Sequence, residues 1–128
     1  AKAWEAWLQT QVNQNPQWQP EKRDTRRLSE LVKLWYTSHG QGLRAGQGTK
    51  TRLLAATEAM GDPLADRFTA EVFAEYRSKR LEAGVTAANM NRELAYFRAM
   101  FNELGHLGAW KRDNPLQKLR QFKIPERE

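Results

Sequence analysis

The chain has no cysteine. That absence removes disulfides, cysteine-based zinc sites and thiol catalysis together, and it agrees with a reducing compartment. There are two histidines, His39 and His106, and neither has a second ligand at metal spacing. Apolar runs are short: none approaches the roughly 20 residues of a membrane span, and the N-terminus lacks a secretory-signal pattern. No stretch alternates with period two for long enough to form a strand, and no segment repeats another. The expectation is a soluble, cytoplasmic, all-α protein that carries no metal or cofactor.

What is present points to folding and to an anionic partner. A chain of 128 residues with 40% hydrophobic residues, five Trp and five Phe is long enough for one domain around a single core. The net charge is +6 and the isoelectric point near 9.9, which favours an anionic partner. The charge is unevenly spread. Between Leu31 and Thr57 the chain carries Lys33, Arg44, Lys50 and Arg52 and no acid, whereas Glu71, Glu75 and Glu82 fall in a different predicted helix. The start at Ala1 and the close on IPERE fit a domain taken from a longer protein.

Residues 2–14 read as a helix with Trp4, Trp7, Leu8 and Val12 on one stripe, which either packs on the rest of the domain or binds a partner. Pro16 and Pro20 then mark a linker that contains Trp18. A helix is expected over Thr25–His39, with Leu28, Leu31, Val32 and Trp35 inward and Gly40 ending it. The segment GQGLRAGQG has four glycines but lacks the Gly-Lys pair of a Walker phosphate loop, so it reads as a mobile connection. Thr49 is expected to cap the next helix, which runs to Met60, and its first turn sets free backbone N–H groups beside Lys50 and Arg52. That arrangement suits a phosphate, and a solvated face accounts for the same residues equally well. Gly61-Asp62-Pro63 makes a turn. Thr69 caps a helix over Ala70–Ala83, with Val72, Phe73, Tyr76 and the stem of Arg80 inward and Gly84 as its stop.

The strongest pattern lies in Thr86–Gly105. Met90, Leu94, Phe97, Phe101 and Leu104 recur at spacings of four, three, four and three, which makes one apolar helical stripe capped by Thr86 and ended by Gly105. Asn91, Arg92, Arg98 and Asn102 occupy its other faces and are read as turned toward nucleic acid. After Gly105 the chain looks irregular. Its basic residues, including Lys118 and Arg120, fit a solvated linker or one that follows DNA.

The succession GDPL (61–64), Phe68-Thr69, Val72, Tyr76, Arg80, Gly84-Val85, Asn91-Arg92-Glu93-Leu94, Phe101 and Asn114-Pro115 resembles the core-binding domain of tyrosine recombinases, particularly integrases of temperate phages and prophages. The match runs from about Thr25 to Leu116. The family often has Thr two residues before the Asn of its N-R-E-L run. This chain has Asn89 there, which can still donate to phosphate.

The resemblance implies a four-helix, SAM-like bundle over 25–116, preceded by the helix and linker of 1–24 and followed by an irregular linker over 117–128 toward a catalytic domain. It also implies that the bundle lies on one side of double-stranded DNA at a recombination site while the catalytic domain closes the clamp from the other. In the family the helix before the GDPL turn and the N-R-E-L helix supply much of the DNA face, which maps onto Lys50, Thr51, Arg52, Asn89, Asn91 and Arg92. Arg44, Thr86, Lys118 and Arg120 complete the expected contact set. The family's catalytic His-x-x-Arg is missing, since His39 is followed by GQG and His106 by LGA. Tyr36, Tyr76 and Tyr96 lie at helical positions where packing explains them.

The reading is therefore a DNA-binding module of a phage-type integrase, acting in a bacterial host cell, with no strand cleavage of its own. Its implied partners are duplex DNA, the catalytic domain of its own chain and other integrase protomers. The rival reading is a protein-interaction or oligomerisation bundle that uses the Trp4/Trp7 helix.

Overall fold

The computed structural model of the protein describes residues 24–123. The expected helix over 2–14, the segment around Trp18 and residues 124–128 lie outside them. Four α-helices are present among the described residues: α1 (Leu28–Ser38), α2 (Gly46–Ala59), α3 (Ala70–Glu82) and α4 (Ala87–Leu107). There is no strand among them; Arg27 and Leu64 form one isolated bridge. The all-α bundle read from the sequence is the architecture found.

Helix α1 buries Leu28, Leu31, Val32 and Trp35, the expected stripe, but it starts three residues later than Thr25. Its start is fixed by a distant turn. The Asp62 carboxylate accepts from the Ser29 backbone N–H at 3.0 Å and from the Ser29 hydroxyl at 2.7 Å, and the Leu28 N–H donates to the Pro63 carbonyl at 2.9 Å. Helix N-termini leave backbone donors without intrahelical partners, and here the GDPL turn supplies the acceptors. Asp62 holds φ +47°, a conformation that Asp tolerates better than most side chains.

The glycine-rich segment is not the mobile connection expected from its composition. Gly40–Gly42 forms a 3₁₀ turn, and α2 begins at Gly46. A methyl group built on Gly46 would stand 1.7 Å from the Gly40 carbonyl oxygen, and one on Gly40 would stand 2.7 Å from the Trp35 ring. Gly40 and Gly46 are both buried, so glycine is used here for close approach. Thr49 is not a cap: Ala45 occupies that position, and the Thr49 N–H is already bonded to the Ala45 carbonyl at 3.0 Å.

Helices α2, α3 and α4 end alike. Gly61, Gly84 and Gly108 take φ of +83°, +98° and +82°. In α3 the Gly84 N–H returns to Leu81 and the Val85 N–H to Arg80, each at 3.0 Å, which satisfies carbonyls that the helix leaves open. Thr69 and Thr86 cap α3 and α4 through hydroxyls that accept from Val72 and Asn89. Helix α4 passes through Gly105 and stops at Gly108 instead. Arg80 is exposed, so its stem is not part of the core.

Helix α4 is the centre, and α1, α2 and α3 all pack on it. Its Phe97 and Phe101 meet Phe68 at ring-centroid separations of 5.4 and 5.8 Å, Phe73 lies 5.8 Å from Phe97, and Trp110 lies 5.0 Å from Phe101. Each fully buried side chain of this size stabilises the fold by about 1.5–3 kcal/mol.

Residues 109–123 run back along α4 without regular secondary structure. Trp110 packs on Phe101, Leu116 is wholly buried, and Phe122 reaches Asn91 near the helix start. The segment is irregular, as expected after Leu116, and through Lys123 it is docked along α4 as a strap.

Candidate nucleic-acid interface

Successive residues of an α-helix are rotated by about 100°, so Lys50, Thr51 and Arg52 fan over roughly 200° of α2. Lys50 turns toward α1, where its ammonium lies 4.4 Å from the centre of the Tyr36 ring. Arg52 turns the other way, into a cleft of about 230 Å³ shared with Tyr76 and Arg80 of α3 and Glu93 of α4. Between these two cations the outward strip carries Gly48, Thr51 and Ala55, all exposed and small. Two cations thus border a surface low enough for a large ligand to approach the helix backbone.

Hydroxyls and amides on this face are partly committed. Thr51 donates its hydroxyl to the Gln47 carbonyl at 3.0 Å, and the Gln47 side chain accepts from the Tyr36 hydroxyl at 3.0 Å. The Thr86 hydroxyl accepts from the Asn89 backbone N–H at 3.2 Å, and Asn89 and Arg92 are both exposed. Arg44 is exposed in the connection between α1 and α2. Because Arg52 and Glu93 line one cleft, the outward face of α2 and the first turns of α4 are neighbours.

Three residues of α4 read as nucleic-acid-facing have other uses. Asn91 is 8% exposed; its Nδ2 donates to the Phe122 carbonyl at 2.9 Å and its Oδ1 accepts from the Phe122 N–H at 2.7 Å. Both polar atoms of this buried amide are thus engaged with the strap. Arg98 donates through Nε to the Leu116 carbonyl at 2.9 Å, and Asn102 accepts from the Asn114 amide, again at 2.9 Å. These side chains hold the strap.

Arg77, not singled out in the sequence, belongs to the same set. It donates to the Arg120 carbonyl at 2.8 Å and lies 4.0 Å from the centre of the Phe122 ring. Burial, followed by the charge of Arg98, pulls its pKa down. The Lys118 and Arg120 side chains are exposed on the strap, away from α2 in sequence but carried along α4 toward its N-terminus.

The Tyr76 hydroxyl donates to Glu93 Oε1 at 2.5 Å beneath the cleft. Its pKa is raised chiefly by burial and further by the Glu93 hydrogen bond, while nearby Arg80 opposes the shift. No group of His, Cys, Asp and Glu among the described residues could hold a metal ion. His39 Nδ1 and His106 Nδ1 lie 3.4 and 3.8 Å from the Glu103 carboxylate.

A family model described as phage integrase, N-terminal domain, matches residues 24–123. The chain belongs to this family. It is 47% identical over 124 residues to the integrase of Escherichia phage 186, covering 90% of this chain and 37% of that protein. The putative integrase of Pseudomonas phage Pf1 is 42% identical over 78% of this chain and 30% of its own length. The integrase of Haemophilus phage HP1 is 39% identical over 84% and 34%. The chain therefore spans about a third of the length of the curated relatives it matches. No solved structure matches it significantly.

Within this integrase domain, part of the resemblance now has a structural cause. Asp62 of GDPL caps α1, and Asn114 of the Asn-Pro pair accepts from the Leu116 N–H at 3.0 Å while donating to the Arg98 carbonyl at 3.0 Å. Asn91, of the N-R-E-L run, clasps the strap. No helix of the described residues is long and apolar enough to cross a membrane.

Proposed function

We propose that this integrase domain binds duplex DNA and forms one half of a clamp on the recombination site during integration and excision. The observation that carries this reading is the outward strip of α2, low between Lys50 and Arg52, whose Arg52 shares a cleft with Glu93 of α4, the residue that follows exposed Arg92. Lys50, Arg52 and Arg92 contact phosphates, and Arg44, Lys118 and Arg120 extend the positive field around them. Asn89 is the base-edge reader, since a side-chain amide can pair with adenine in the major groove. Thr51 and Thr86 lie within the footprint, and their hydroxyls are already bonded to protein groups. Strand cleavage belongs to the rest of a longer protein, which closes the clamp from the opposite side.

The test is the affinity of a Lys50→Ala/Arg92→Ala variant for a duplex that contains the integration site. Loss of two phosphate contacts should reduce the slope of log K against log salt by about two. Unchanged affinity and slope would put the interface elsewhere.

A further inference from the structure

Helices α2 and α3 both pack on α4 more than on one another. The cleft they leave is walled by Arg52, Ala55 and Ala59 on one side and Arg80 on the other, with Tyr76 and Glu93 at its floor. Its volume of about 230 Å³ is several times that of a water molecule, so it has room for a phosphate group. Arg52 and Arg80 are both exposed, and neither pairs with a carboxylate among the described residues. The neighbouring cation differs: Lys79 pairs with Glu75 at 3.4 Å.

The Glu93 carboxylate is held at the floor by the Tyr76 hydroxyl. Two guanidinium groups against this one carboxylate leave one positive charge unmatched, which is the charge a single phosphodiester neutralises. Guanidinium groups also offer paired donors suited to phosphate oxygens. Alanines at 55 and 59 keep the cleft open, where longer side chains would fill it.

We propose that Arg80 joins Arg52 in gripping one DNA phosphate across the cleft between α2 and α3, so that the DNA footprint extends from α2 and α4 onto the end of α3. This rests on the DNA-binding reading. It adds a contact from a helix in which the sequence placed the stem of Arg80 on the core side.

The experiment measures binding of the 128-residue chain to duplex DNA over a range of salt concentrations, for the unaltered protein and for Arg80→Ala, Arg80→Gln and Lys79→Ala. Because Glu93 offsets the one guanidinium that remains, Arg80→Ala and Arg80→Gln should each reduce the salt slope by up to about one and the affinity by up to about tenfold near 0.1 M salt. Lys79→Ala should leave the slope unchanged. Slopes for both Arg80 variants equal to that of the unaltered protein overturn the proposal while the DNA-binding reading stands. Equal losses for Lys79→Ala and the Arg80 variants overturn it as well, because they reveal a diffuse field in place of a gripped phosphate. Absence of DNA binding by the unaltered protein overturns both readings.

Discussion

Asn91 is hydrogen-bonded through both polar atoms of its side chain to one residue, Phe122, 31 positions later in the chain. The amide pairs with the Phe122 backbone as a neighbouring strand would, and it ties the end of the strap to the first turns of α4. Phe122 therefore lies at the end of α4 that carries Asn89 and Arg92.

Asn91→Ala should loosen the strap locally. Two hydrogen bonds worth about 0.5–1.5 kcal/mol each are lost, so amide exchange at Phe122 should quicken by roughly tenfold to a hundredfold. Asn89→Ala should leave that exchange unchanged and weaken DNA binding. Unaltered protection at Phe122 in Asn91→Ala would show that the clasp contributes nothing.

Asp62→Ala removes both acceptors of Ser29 at the start of α1. The loss should be about 1–3 kcal/mol of stability, read as a lower urea midpoint. Asp62→Asn should lose less, since an amide oxygen can still accept. The folded variants should keep the DNA salt slope, because the GDPL turn acts through α1 and not through the ligand.

Glycines of one segment should respond oppositely. Gly46→Ala sets a methyl against the Gly40 carbonyl and should cost about 3 kcal/mol or more. Gly48→Ala meets nothing within 4 Å and should stabilise α2 by up to about 1 kcal/mol. Chemical denaturation of the two variants checks this, and similar midpoints would contradict the packing described.

Tyr76 gives an alkaline signature. Its folded pKa lies above the ordinary value of 10.0, so its contribution is fully present below pH 10. As pH rises from there toward the folded value, the unfolded chain releases the proton first and stability falls. Tyr76→Phe should remove that part of the alkaline loss. An identical decline in both proteins would mean that the hydroxyl is not held as described.

The helices were legible because their signals are local. The Met90–Leu104 stripe, the Thr69 and Thr86 caps and the Gly84 stop each act within a few residues. Features that depend on distant partners were not legible. Nothing near Gly46 announces the Gly40 carbonyl, so a packing glycine looks like a flexible one. Asn91 and Arg98 look like surface groups until residues 116–122 are laid over them. Gly105 resembles a helix stop, yet the helix continues through it to the left-handed Gly108. At the candidate interface, Arg52 and Arg92 are exposed, although the helix start that the sequence placed beside Arg52 lies a turn earlier, at Gly46. Arg80 was drawn inward by its apolar neighbours Phe73 and Tyr76, and only the cleft brings it beside Arg52.

The most direct test of the account is a salt titration of this domain on a duplex of about 30 base pairs, comparing random sequence with integration-site DNA. Contacts from Lys50, Arg52 and Arg92 predict a fall of about three or more in log K per unit of log salt, with tighter binding to the integration site. No binding at low salt would contradict the account, and it would turn attention to the rival reading in which the Trp4/Trp7 segment meets a protein partner.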